Sequence, residues 1–145
     1  MNELTNAVWS ARAVGSCTIK SDGEIIRLVD ARQVVVSVAK SGRSVGFFDP
    51  RIPRSGVRVG MVGGELARVA PTLDQIDCER GPRWFGDYLQ CRLRGPQTLD
   101  CDNADGDVLI VLFDPRERDA TTKGDAARAS VRDREIRGLV ETSCD

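Results

Sequence analysis

Histidine is absent from this chain of 145 residues. The gap removes the side chain best suited to acid–base work near neutral pH. It also closes Ser-His and Cys-His nucleophile activation and takes away the commonest nitrogen ligand for zinc, copper or iron. Catalysis by carboxylate, Lys, Tyr, Arg or an oxygen-ligated metal stays open, so the balance leans away from an enzyme without excluding one. Lysine is nearly missing too: three of the 21 basic residues are Lys and the rest are Arg, which supplies planar donors for carboxylates, phosphates and aromatic faces. Cysteine pairs at zinc spacing are lacking, since Cys17, Cys78, Cys91, Cys101 and Cys144 include no Cys-x-x-Cys and are odd in number. Reduced thiols packed as small hydrophobes are the expectation.

Long apolar runs are missing as well. The longest, Val108 to Phe113, has six residues, against the roughly 20 that a membrane-spanning helix needs. The N-terminal stretch MNELTNAVWSARAVG carries neither a basic n-region nor an apolar h-region. No membrane association and a cytoplasmic address follow as expectations. The glycines of GMVGGE are not followed by Lys-Ser or Lys-Thr, and no G-x-G-x-x-G occurs, so phosphate-cradling loops of either kind are excluded. Ser37-Val-Ala-Lys40 matches the S-x-x-K string of serine acyl enzymes. It lies in a β run that throws Ser37 and Lys40 onto opposite faces, and coincidence explains it better. No cofactor is expected.

What is present suits a soluble globular chain: 41% hydrophobic and 30% charged residues with a net charge of −1, enough apolar material for one core without staples. Residues 2 to 14 place Leu4, Ala7, Val8, Ala11 and Val14 at helical spacing before Gly15. Extended segments follow. CTIK and EIIRLVD flank a Ser-Asp-Gly turn, QVVVSVAK continues them, and GVRVGMVGG turns Val57, Val59 and Met61 inward against Arg58. Its glycines suggest a bulge or sharp corner. Thr72-x-x-Gln75 resembles a capping box opening a brief helix that ends near Gly81-Pro82. YLQCRLR alternates cleanly, with Leu89, Cys91 and Leu93 on one side and Tyr88, Gln90, Arg92 and Arg94 on the other. VLIVLF has no polar alternation and should be central, covered on both faces, with Phe113 filling the core as Trp9 does elsewhere. The tail, opened by Thr122-x-x-Asp125, interleaves Arg128, Arg132, Arg134 and Arg137 with Asp133 and Glu135 and reads as a charged, exposed helix.

The fold class is therefore α+β, predominantly antiparallel β of sandwich or small-barrel type, with a short N-terminal helix and a charged C-terminal helix. Residues 1–118 form a single β-rich domain including the N-terminal helix, and 119–145 a charged C-terminal helix or tail. FFDPR at Phe47 to Arg51 and LFDPR at Leu112 to Arg116 echo one another. Proline stopping a strand explains both better than duplication, because the flanks do not repeat.

Two regions compete for function. Asp100, Asp102, Asp105 and Asp107 cluster around Asn103 and Gly106. An EF-hand register with Gly106 at its sixth position puts Cys101 first and Leu112 twelfth, so the strongest ligands are missing. A solvated turn is the better account, with a metal site or metal-dependent carboxylate enzyme as the lesser one. Arg83, Trp84, Phe85, Tyr88, Arg92 and Arg94 mix guanidinium with aromatic rings, the types enriched at interface centres. The leading expectation is a non-enzymatic module docking through these residues onto another protein or onto itself. Small assembly subunits, adaptors and inhibitors, including those carried by viruses or mobile elements, share that description. Nucleic-acid binding through the same groups, Arg80 and the cluster Arg51, Arg54 and Arg58 is the alternative.

Overall fold

A computed structural model describes residues 18–22, 25–30, 33–39, 44–54, 56–69, 75–82, 85–94 and 107–143. Among these residues nine antiparallel strands build one sheet: β1 (Thr18–Asp22), β2 (Ile25–Asp30), β3 (Gln33–Ala39), β4 (Ser44–Phe47), β5 (Gln75–Gly81), β6 (Tyr88–Arg94), β7 (Asp107–Phe113), the two-residue β8 (Thr122–Lys123) and β9 (Ile136–Ser143). Their spatial order is β1-β2-β3-β4-β9-β7-β6-β5-β8. Two meanders, β1 to β4 and β5 to β7, thus lie side by side with β9 paired between β4 and β7.

The order is linear, with β1 and β8 as edges, so the sheet neither closes into the expected barrel nor faces a second sheet as in a sandwich. The expected charged C-terminal helix is also corrected. Only Gly124–Val131 is helical, and the chain then enters β9 in the middle of the sheet. The cause of the misreading is a bulge. Val111 opposes Leu139 and Phe113 opposes Ile136, with the register shifting between Leu112 and Phe113. Ile136 and Leu139 therefore share a face three residues apart, a helical spacing produced inside a strand. Two further helix signals fail: Gln75–Gly81 is β5, and Thr122 belongs to β8 while Lys123 caps the helix without a side-chain hydrogen bond. The N-terminal helix expected over residues 2 to 14 lies outside the described residues. Among the described residues no helix is long and apolar enough to cross a membrane.

One face of the sheet carries the main core. Leu28, Val36, Val38, Val45, Phe47, Ile76, Cys78, Leu89, Cys91, Leu93, Val111, Phe113, Ile136 and Leu139 are buried in one cluster drawn from β2 to β7 and β9. The helix Gly124–Val131 covers it with Ala127 and Val131, the single helical turn Leu66–Val69 with Leu66, and the 52–61 segment with Ile52 and Val57. Val59 and Met61 pack against it partly buried while Arg58 stays exposed, so the inward and outward alternation of this segment is real. It contributes no strand to the sheet among the described residues, but Arg54 bridges to Val57, Val62 bridges to Glu135, Gly60 N–H donates to the Ile136 carbonyl at 2.9 Å, and the Met61 carbonyl accepts from Ile136 N–H at 2.8 Å. Arg54 lies 4.8 Å over the Phe47 ring and donates through Nε and Nη2 to Glu141 at 2.6 Å each.

Two clasps hold the helical layer down. Gly63 N–H donates to the Arg134 carbonyl at 2.8 Å and Gly64 N–H to the Arg132 carbonyl at 3.0 Å, so backbone meets backbone with no room for a side chain. Arg134 and Asp119 form the second clasp, with side chains 4% and 6% exposed. Nη1 reaches Asp119 Oδ1 at 2.7 Å and Nη2 reaches Oδ2 at 3.0 Å, while Nη2 also donates to the Asp114 carbonyl. Asp119 Oδ2 in turn accepts from Arg116 N–H at 2.7 Å, so one buried carboxylate organises the whole loop after β7. The two Asp-Pro-Arg turns leave β4 and β7 on either side of β9 but are braced differently. Asp49 is buried and bound by its own Arg51, whereas exposed Asp114 accepts from Arg137 at 2.8 Å. Strand termination, not duplication, is what the two copies share.

Cys78 and Cys91 face each other across β5 and β6 and are joined in a disulfide, both almost wholly buried. The expectation of reduced thiols is overturned for this pair: direct opposition in the ladder brings together two cysteines whose sequence separation of 13 had suggested nothing. Disulfides persist in oxidising surroundings, so the bond is in tension with a cytosolic address. Closing a loop of this length limits the unfolded chain and is worth about 3 kcal/mol. Reduction should therefore lower the unfolding free energy extrapolated from denaturant titration by about 3 kcal/mol, with a corresponding fall in midpoint, and a Cys78→Ala/Cys91→Ala double variant should show the same midpoint with or without reductant.

Candidate interaction surface

Alternation along β6 sends Leu89, Cys91 and Leu93 into the main core and turns Tyr88, Gln90 and Arg92 to the opposite face. Neighbouring strands continue that face by register. Leu112 lies opposite Gln90 and Ile110 opposite Arg92, Val140 lies opposite Ile110, and Gly46 lies opposite Val140. Ile110, Leu112 and Val140 form a second, smaller apolar cluster there, and Phe48, Phe85 and Tyr88 pack onto it partly buried.

Two glycines make room for these rings. A Cβ on Gly138 would lie 2.7 Å from Phe48 Cε1, and one on Gly46 would lie 2.8 Å from Phe48 Cε2 and 2.9 Å from Phe85 Cδ2. The rings thus sit directly on the backbone of β4 and β9. Phe48 meets Phe85 edge to face at 6.3 Å and 89°, and Tyr88 at 6.4 Å and 31°, within the range where aromatic pairs attract. Burial, and secondarily the charge of Asp114, pushes the Tyr88 phenol above its ordinary value, so it remains a neutral donor. Arg92 is partly exposed further along β6, with Asp77 opposite it on β5. Phe85 itself has φ +62° and the following Gly86 φ +154°. Just beyond, Asp87 is tied to Arg80 at 3.0 Å, and Arg80 Nη1 also donates to the Arg116 carbonyl.

Of the residues singled out in the sequence, Phe85, Tyr88 and Arg92 come onto this one face. Arg83 and Trp84 lie outside the described residues, as does the side chain of Arg94, whose backbone pairs with Gln75. Phe48 was missed. Its signal was the Phe47-Phe48 doublet at a strand end, which must send one ring to each face, here Phe47 to the main core and Phe48 to the second. In the other basic cluster, Arg51 is bound to Asp49 and Asp30 and Arg54 to Glu141, while Arg58 is exposed. Of the acidic group, Asp100, Asp102 and Asp105 lie outside the described residues and Asp107 opens β7. Among the described residues no three Cys, Asp or Glu side chains gather as a metal site would require.

The surface is thus an aromatic cluster seated on glycines, bordered by one arginine on a rigid strand. Such a patch offers ring faces and edges, a phenolic hydroxyl and a guanidinium to a ligand, with the carboxylates of Asp114 and Asp77 near Tyr88 and Arg92. No family model, no curated protein and no solved structure matches the chain.

Proposed function

We propose that this chain is a non-enzymatic interaction module, of the kind found in small assembly subunits, adaptors and inhibitors, that docks another protein or a copy of itself through Phe48, Phe85, Tyr88 and Arg92. The observation that carries the reading is the gathering of three partly exposed rings over the strip Ile110, Leu112 and Val140. Aromatic and Arg side chains set in a desolvating apolar surround are the residues that dominate binding energy at protein interfaces. A cluster held by the sheet backbone also loses little side-chain freedom on binding. The nucleic-acid alternative draws less support from the same surface. Arg51, Arg54, Arg80, Arg134 and Arg137 each engage a carboxylate within the chain, which spreads the basic charge into neutral pairs.

Light scattering coupled to size exclusion, with copurifying species identified by mass, tests the reading. Tyr88→Ala and Arg92→Glu should each weaken the complex or self-assembly at least about tenfold, the scale of a hot-spot residue. Binding should fall only shallowly with added salt, whereas phosphate neutralisation gives a steep log–log loss. Retention of every partner and of the oligomeric state in the Tyr88→Ala/Arg92→Glu double variant would place the function elsewhere.

A further inference from the structure

Tyr88, Gln90 and Arg92 stand at alternate positions of β6 and so form one line on the second face of the sheet. Four residues at the rise of a strand make that line about 13 Å long. Phe48 adjoins its tyrosine end, and Phe85 meets Phe48 at right angles. In the middle of the line Gln90 is 6% exposed, and no hydrogen bond joins its carboxamide to another described residue. Gly81 leaves the space for it, since a Cβ there would come within 3.2 Å of Gln90 Nε2. A buried amide without a partner is costly, and a ligand that pairs with it recovers the cost.

We propose that the partner presents an extended, proline-containing segment in the polyproline II conformation, laid along Tyr88, Gln90 and Arg92 with an acidic residue at the Arg92 end. The proposal rests on the interaction reading and narrows it to one kind of occupant. A partner strand needs an open ladder edge, and β6 is paired on both sides, to β5 and to β7. A partner helix spends its peptide groups internally and leaves none for Gln90. A polyproline II chain makes no internal hydrogen bonds, so its peptide groups stay available to the Gln90 carboxamide and the Tyr88 hydroxyl. Its proline rings lie flat on aromatic side chains, the way such segments dock elsewhere. The perpendicular rings of Phe48 and Phe85 leave a corner between face and edge for one of them. With a rise of about 3.1 Å per residue, roughly four residues of the segment cover the distance from Tyr88 to Arg92. Arg92 is partly exposed there with Asp77 across from it, and a carboxylate of the segment reaches the guanidinium from the solvent side.

Selection of phage-displayed random dodecapeptides on the full chain tests the proposal. Prolines spaced by one turn of the polyproline helix should be enriched several-fold over the unselected library, with Asp or Glu about four residues to one side. Synthetic copies of the enriched peptides should bind at least about tenfold more weakly to Tyr88→Ala and several-fold more weakly to Gln90→Leu. Arg92→Glu should reverse their preference from acidic to basic ends. The side-chain amide resonances of Gln90 in the native chain should shift as peptide is added, a readout that needs no variant. Failure to enrich any peptide, enrichment without proline, or Gln90 signals that stay in place while proline peptides bind each overturn the proposal. Proline-free peptides whose binding is lost in Tyr88→Ala leave the interaction surface standing and remove only the polyproline partner. Proline peptides that bind the Tyr88→Ala/Arg92→Glu variant undiminished overturn both.

Discussion

Gly63→Ala is expected to cost about 3–4 kcal/mol, an overpacking penalty plus the loss of backbone hydrogen bonds left without partners. A Cβ at this position would lie 2.1 Å from the Val131 carbonyl oxygen, a backbone atom that cannot rotate aside. The Gly63–Glu65 turn and the end of the helix must then separate, and the N–H bonds of Gly63 to Arg134 and of Gly64 to Arg132 are lost with them. For a chain of this size each kcal/mol moves Tm by roughly 3 °C, so thermal unfolding should shift down by about 10 °C. Gly60→Ala supplies the contrast. Unlike Gly63, Gly60 sits at positive φ, +98°, but nothing lies within 4 Å of the added Cβ, so only conformational strain of about 1 kcal/mol applies. Equal losses at the two positions would show that close backbone approach is not what Gly63 provides.

Arg134→Met should be comparably damaging, at about 3–5 kcal/mol, because it strands a buried carboxylate. Asp119 would keep its charge with the Arg116 N–H as a remaining partner, and the Asp114 carbonyl would lose its donor. Adding Asp119→Leu should recover much of the loss, since replacing both members of a buried ion pair with apolar groups is often near neutral. The pH dependence follows from the same pair. The hydrogen bonds from Arg134 hold Asp119 below the ordinary aspartate range. Its contribution is therefore complete above the unfolded value of about 3.9 and is lost as pH falls through the lower folded value. In Arg134→Met the carboxyl is buried without its cation, which raises its pKa and reverses the sign. The stability gap between wild type and variant should accordingly narrow on acidification from pH 7 towards about pH 4, as urea unfolding at a series of pH values will measure. A gap independent of pH would mean that Arg134 acts by packing against Phe113, 5.9 Å away, and not by its charge.

Elements whose side chains follow one simple period were readable from the residues. Tyr88–Arg94 alternates and is β6, and the run Val108 to Phe113, with no polar alternation, lies in β7, where Leu109 to Phe113 are buried. What escaped was set by long-range pairing. The bulge opposite Phe113 gives β9 a helical apolar spacing, and its Arg and Glu neighbours completed the disguise. Cys78 and Cys91 pair only because β5 and β6 place them in register. The surface was half legible on the same terms. Tyr88 and Arg92 were assigned to an outward face by alternation alone, whereas Gly46 and Gly138 became meaningful only once β4 and β9 were neighbours and Phe48 lay across them.

The position of β9 has a consequence for biosynthesis. No ladder joins β4 to β7 directly, and each finds its second neighbour only in a strand made after both. While the ribosome is still extending the polypeptide, two half-finished sheets expose open inner borders, the state most prone to pairing with other nascent chains. Consolidation must wait for residues 136–143 to emerge, and contacts so distant along the chain are slow to form.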